Sequence, residues 1–363
     1  MDVDAPARAE LLVPAGDLDA SVAFFVELGF ALESIFPADS PRVAVVVGHG
    51  VRLRLDRDAR TSPGHLVLHV PGGDATAARE VTAPNGMRVA IRPRNGLALP
   101  RLVPSYVVSK LDDASSWTIG RAGMHYRDLV PDRQGGLFIA SHIRLGEGGD
   151  VPDYVHFHEV RFQMLYCVRG WTRLLYEDQG PEMIMRAGEC VLQPPTIRHR
   201  VLACGPGTEV VEIGCPALHE TFADPALALP TRDFRPARAF GGQTFVHHEL
   251  AKAAWAPSAV PGFVARDLGI AKASSGLADA HVLRSSDVAA RVERRHDGDL
   301  HFDFVLAGAM TLRCDGQQPV SLTAGDAFVI PRGVAFALDD RSVDLELFEL
   351  AMPAVAAGGT RAD

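Results

Sequence analysis

One stretch of this chain is written twice. The segment YRDL at 126–129 returns as ARDL at 265–268, a displacement of 139 residues. ASH, ending at His142, returns as DAH, ending at His281, again 139 residues on. Gly170 matches Gly308 at 138, and Gly188 and Pro194 match Gly325 and Pro331 at 137. A displacement that holds across the copy and drifts by a residue or two at turns marks a tandem duplication of one folding unit. From residue 115 onward the sequence is short apolar runs cut by Gly and Pro, the pattern of antiparallel barrels or sandwiches. The expectation is a mainly β protein with two related β-barrels, over 101–225 and 226–363. The Pro- and Ala-rich ADPALALPTRDFRPARAFGG links them, and AAGGTRAD reads as a frayed tail.

The duplication leaves residues 1–100 over, and 363 residues are in any case too many for one ordinary core. AELLVPA reads as a strand. DLDASVAFFVELGF reads as a helix, with Asp17 or Asp19 near its cap and Gly29 at its stop. RVAVVVGHG, VRLRLDR and HLVLHV are strand-like, and VRLRL alternates with period two. A small α+β unit of order βαβββ is therefore expected ahead of the barrels.

Composition bounds the partners. Net charge is −9 with no basic block, which argues against nucleic acid or an anionic membrane surface. The start MDVDAPARAE lacks a signal-peptide pattern, and no window offers about 18 uninterrupted apolar residues. Five scattered cysteines without a CxxC read as free thiols of a reducing compartment, so a cytoplasmic location is expected.

The chemistry concentrates in HFHEVRFQ, at 156–163. His156 and His158 are two residues apart, so on a strand they share one face. Gln163 lies five residues further on and rejoins that face from beyond a turn. Downstream, GECVLQPPTIRH carries Gly188, Pro194 and His199. Neutral imidazoles suit iron, manganese, nickel, copper or zinc, and an open position admits water, substrate or dioxygen. Polar histidines lining an empty barrel are the alternative. Further candidates for a pocket are His142, Arg198, Gln193 and Glu212, with Phe162, Tyr166, Trp171 and Tyr176 as aromatic surface. Cys167 is expected to be a packed thiol.

His156, His158, Gln163 and Gly170, followed by Gly188, Pro194 and His199, resemble the two motifs of the cupin superfamily. The resemblance implies that His156, His158, Gln163 and His199 converge on one divalent transition metal, Fe(II) before Mn, Ni or Zn. Gln163 departs from the pattern, since most cupins carry glutamate there. In the second copy Arg294 takes the first histidine position, His296 the second, His301 the acid position and Phe336 the fourth, so that site is expected to be degenerate. The leading 8–95 stretch resembles the glyoxalase/bleomycin-resistance superfamily, but Glu10 is the nearest thing to one of its metal ligands, and His49, His65 and His69 read as surface or satisfied histidines. The expected fold is thus mainly β: two tandem cupin, jelly-roll-like β-barrels preceded by a small α+β βαβββ glyoxalase-like domain. The resemblance implies an enzyme of dioxygenase type acting on a small-molecule substrate in the first barrel, and Glu212, Arg198 and His142, from their places on the strands, are the expected catalytic side chains. A non-redox isomerase or lyase and a non-catalytic ligand-binding bicupin stand as alternatives, and strand-rich barrels are compatible with a homodimer.

Overall fold

The structure is a computed structural model and describes residues 9–37, 40–71, 79–94, 97, 99–112, 116–288 and 292–353. The AAGGTRAD tail lies outside them. The chain forms two compact units, Met1–Ala98 and Leu99–Asp363.

In the first unit, the strand Leu11–Pro14 leads into the helix Leu18–Glu27. Asp17 caps that helix by accepting from the backbone N–H of Ala20, which satisfies one of the orphan donors of the first turn. Gly29, at φ 88°, ends it in a conformation that a side chain would resist. The sheet that follows runs Leu11–Pro14, Val51–Asp56, Val43–Gly48, Ala31–Phe36 in spatial order, with the first pair parallel. A second sheet places Arg88–Arg94 between His65–Pro71 and Arg79–Thr82. Phe25, Phe30, Val46, Leu53, Leu55 and Val89 belong to an apolar core of this unit.

The second unit is mainly β and holds two barrels. In the first, a seven-stranded sheet centred on Phe162–Arg169 and Glu209–Cys215 faces a sheet containing Trp171–Tyr176, His199–Cys204 and His156–His158. Period-two alternation sorts the side chains. Phe162, Met164 and Tyr166 point to the core between the barrels, while Leu165 and Cys167 pack toward the barrel interior. The second barrel repeats this with Phe302, Phe304 and Phe348 facing its neighbour and Val305 and Leu347 facing inward. Tyr166 stacks on Phe348 with ring centroids 4.9 Å apart, so the two large sheets close on each other face to face.

The barrels also exchange parts reciprocally. Val107–Ser109, which precedes the first barrel, adds an edge strand to the second through Ala327–Val329. Val246–His248, which precedes the second, adds an edge strand to the first through Cys190–Leu192. Arg127 of the first barrel donates to the Gly325 carbonyl of the second, and Arg266 of the second donates to the Gly188 carbonyl of the first at 2.9 Å. Gly188 and Gly325 are matched positions of the repeat, so the pairing follows a pseudo-twofold relation. The linker folds onto the first barrel. Arg235 and Arg238 bind Asp178 at 2.5 and 2.6 Å, and Phe240 enters that barrel's core.

The pairing of His142 with His281 needs correction. Leu129 donates to the Ala140 carbonyl and Leu268 to the Ala280 carbonyl, which makes Ala140 and Ala280 equivalent at a displacement of 140. His281 therefore stands where Ser141 does, and His142 corresponds to Val282. A one-residue slip in a strand moves a side chain to the other face.

Candidate metal centre

His156 and His199 are directly opposed across an antiparallel pair of strands, and His158 follows two residues on along the same face. The three are buried, with relative exposures of 0%, 6% and 8% for His156, His199 and His158. Ring centroids are 4.2 Å apart for His156 and His199, 5.2 Å for His156 and His158, and 5.3 Å for His158 and His199. One nitrogen from each lies within 4.8 Å of the others.

Backbone carbonyls orient these rings. His156 Nδ1 is 2.8 Å from the Tyr154 carbonyl, His199 Nδ1 is 3.0 Å from the Ile197 carbonyl, and His158 Nδ1 is 3.4 Å from the Glu220 carbonyl. A carbonyl can only accept, so Nδ1 of His156 and of His199 carries the proton and leaves Nε2 unprotonated, whereas His158 Nδ1 also lies 3.3 Å from the Thr221 hydroxyl, which can donate or accept. The carboxylate of Asp153 stands 3.6 Å from His156 Nδ1 while its other oxygen accepts from the Val201 N–H at 2.9 Å. Tyr176 stacks on His199 at 5.6 Å.

Beside His158 and His199 a small cavity of about 70 Å³ opens into the barrel. Its polar lining includes Gln163, Gln193 and Glu212, and its apolar lining includes Ile143, Leu165, Leu174, Met185 and Val210. A hydrogen-bonded chain crosses it. The Tyr176 hydroxyl donates to Gln193 Oε1 at 2.6 Å, Gln193 Nε2 donates to Gln163 Oε1 at 3.1 Å, and Gln163 Nε2 donates to Glu212 Oε1 at 2.5 Å. Burial raises the pKa of the Tyr176 phenol, so it stays a donor. Glu212 is the one carboxylate among the described residues that line this cavity.

The structure thus brings His156, His158 and His199 together and places Gln163 and Glu212 beside them. Gln163 lines the same cavity as His158 and His199, with its amide oxygen accepting from Gln193 and its amide nitrogen donating to Glu212. Two other expected catalytic residues are not brought to the cavity. His142 alternates with Ile143 on its strand, so when Ile143 lines the cavity His142 faces the second barrel. There its Nε2 meets Glu209 at 2.8 Å, its Nδ1 meets Arg127 at 3.2 Å, and its ring contacts Phe304. Arg198 turns outward to Asp224 at 3.0 Å and lies over the Phe157 ring. Phe162 and Tyr166 likewise belong to the core between the barrels. All five cysteines are buried and free, and burial pushes the Cys167 thiol up to about 12, so it is a packed thiol.

Sequence reasoning missed the carbonyls of Tyr154, Ile197 and Glu220, because any residue supplies one. It also missed Asp153 and His219, whose ring lies 5.2 Å from that of His158. In the first unit, Glu10 is engaged by Arg52 at 2.8 Å and His49 by the Leu28 carbonyl at 2.7 Å. Among the described residues, the first unit holds none of the clusters able to bind an ion.

Comparison with known proteins adds one sequence match. A family model described as Cupin matches residues 277–362. No curated protein matches the chain. Among solved structures, protein Ylba from E. coli is 12% identical and superposes over 71% of this chain and 94% of its own, with a TM-score of 0.49. A point mutant of Bacillus subtilis oxalate decarboxylase is 11% identical over 73% of this chain and 80% of its own, also at 0.49. Lactobacillus farciminis oxalate decarboxylase, as a formate complex, is 12% identical over 72% and 88%, again at 0.49. Likenesses this distant carry no inference about activity. The cupin match itself falls on the second barrel, from Asp279–Ser285 to Glu346–Met352.

Proposed function

We propose that the first barrel binds one divalent transition metal through Nε2 of His156, His158 and His199 and acts there on a small organic molecule. The observation that carries this is the convergence of the three buried rings, one nitrogen of each within 4.8 Å of the others, with His156 and His199 holding their Nδ1 protons on carbonyls. A bound metal would supply Lewis acidity and, where it is redox-active, a centre for dioxygen chemistry. The protein's own contribution is positional. The apolar lining excludes water from all but a few polar points, which strengthens electrostatic contacts with a substrate. Gln163 fixes one oxygen of Glu212, and the Tyr176–Gln193 pair fixes Gln163, so Glu212 is held at the cavity wall as the group that takes or returns a proton.

Within this reading a dioxygenase acting on a chelating hydroxy or keto compound comes first, with Fe(II) ahead of Mn, Ni or Zn. A metal-assisted isomerase or lyase using the same residues comes second, and binding without turnover third. Oxygen uptake by Fe(II)-loaded protein with a panel of small hydroxy- and keto-acids separates them. Uptake that disappears in Glu212→Gln supports the dioxygenase, substrate loss without uptake supports the isomerase or lyase, and binding with neither leaves a ligand-binding barrel. The βαβ entry and the strand order of the first unit support a glyoxalase-like fold. No helix among the described residues is long and apolar enough to cross a membrane. Free buried cysteines support a reducing, cytoplasmic setting, and a homodimer fits the strand-rich unit.

A further inference from the structure

The second barrel has lost the triad, yet its interior is crossed by a row of ionisable groups. Asp267, His281, Glu349 and Asp303 stand opposite one another in register on four successive strands. Their neighbours Leu283, Val305 and Leu347 lie in the interior core of that barrel, so the row shares the inner face. It runs from an exposed Asp267 to Asp303 at 0% exposure. His301 joins it from two residues before Asp303.

At the buried end three donors converge. His301 Nε2 lies 3.0 Å from Asp303 Oδ2 and 3.7 Å from Glu349 Oε2, and one ligand atom from each residue lies within 4.8 Å of the others. The nearest of these contacts is short enough for a hydrogen bond, but the ring N–H is not aligned on the carboxylate. Among the described residues, neither His301 Nε2 nor either oxygen of Asp303 has a well-aligned hydrogen-bond partner, although all are buried. A buried carboxylate without aligned donors is costly unless something else satisfies it. Donors about 2.1 Å from a cation and at right angles stand about 3.0 Å apart, so a close, misaligned contact is what two ligands of one ion show. Arg294 Nη1 donates to Glu349 Oε2, the same oxygen that faces His301 Nε2. Burial opposes ionisation of Glu349, but Arg294 and His301 outweigh it and lower its pKa, whereas burial raises that of Asp303.

We infer that His301, Asp303 and Glu349 form a second divalent-cation site, independent of the first barrel. It is not the set the cupin resemblance implies for this copy, which would use positions 294, 296, 301 and 336. Arg294 and Phe336 cannot ligate, and Phe336 packs 5.3 Å from His301. Two carboxylates and one imidazole make a harder donor set than three imidazoles, suited to Mn(II) before Cu or Ni. With its surroundings filled by Phe336, Leu338 and Leu347, the site is structural: it ties Leu300–Ala307 to Glu346–Met352 inside the barrel.

The test uses the full chain carrying His156→Ala and His158→Ala, dialysed against Mn(II) and, separately, Zn(II), then washed and assayed for metal and melting temperature. Close to one equivalent of metal is expected, with a melting temperature raised by the ion. Adding Asp303→Asn should lower bound metal at least about tenfold and abolish the shift. His301→Gln serves as the second variant should Asp303→Asn lose its near-ultraviolet circular dichroism. Less than about a tenth of an equivalent in folded His156→Ala/His158→Ala protein overturns the site, as does metal retained in the folded Asp303 or His301 variant.

Discussion

At Gln163 a single amide decides how the first barrel distributes charge. Its hydrogens face Glu212 and its oxygen faces Gln193, so a neutral group stands where a carboxylate would crowd another carboxylate. Gln163→Glu would set two acids within hydrogen-bond distance, and one of them must then hold a proton or share a cation. The variant should bind Mn(II) or Fe(II) at least about tenfold more tightly than the parent in a chelator-competition titration, and melt lower without metal. Unchanged affinity would show that neither side chain reaches the metal. The shared face of His156 and His158 was legible in the sequence from period-two alternation, and His199 joined them through the cupin resemblance, while the cross-strand pair that sets it opposite His156 is seen only in the fold. The orientation of Gln163 was not legible, because it depends on Gln193, thirty residues on and just past the end of a different strand. Nor were Asp303 and Glu349 legible as a cluster, since only the register of their two strands makes them neighbours.

Among the elements, the strand Ile139–Arg144 shows how alternation both guides and misleads. Strand, turn and face could be read from its residues, but which face met the cavity could not, and His142 went to the other one. Burial lowers the pKa of His142 below its ordinary value near 6.5, with Glu209 pulling the other way. The folded protein therefore keeps this imidazole neutral at pH values where the unfolded chain protonates it. Stability from this group is present above about pH 6.5 and is lost as the pH falls below it. Melting temperature measured from pH 7.5 downward should drop from that point, and His142→Asn should flatten this part of the curve while lowering its plateau. An unchanged slope in the variant would assign the acid sensitivity to other groups. The helix Leu18–Glu27 was more legible, since Asp17 and Gly29 carry its boundaries in their own chemistry.

Across the whole molecule, the repeat predicts two barrels but not how they hold each other. The answer is reciprocal: edge strands exchanged through Val107–Ser109 and Val246–His248, and a guanidinium from each barrel on a glycine carbonyl of the other. Burial lowers the pKa of Arg127 to about 10, which leaves it charged at neutral pH, and it donates to the Lys110 and Gly325 carbonyls. Arg127→Met would strip both carbonyls of their donor and should cost about 2–3 kcal/mol in urea unfolding, with a smaller slope if the barrels then unfold separately. A single transition at the parent midpoint would contradict that role. The measurement that bears most directly on the first barrel is elemental analysis of the full chain, purified without chelator or metal-binding tag and compared with His156→Ala/His158→Ala and with Asp303→Asn. If the three imidazoles hold a metal, His156→Ala/His158→Ala loses about one equivalent relative to the parent, and Asp303→Asn retains that equivalent. Equal metal content in the parent and in His156→Ala/His158→Ala, after reconstitution with Fe(II), Mn(II) and Ni(II), would contradict a metal centre in the first barrel.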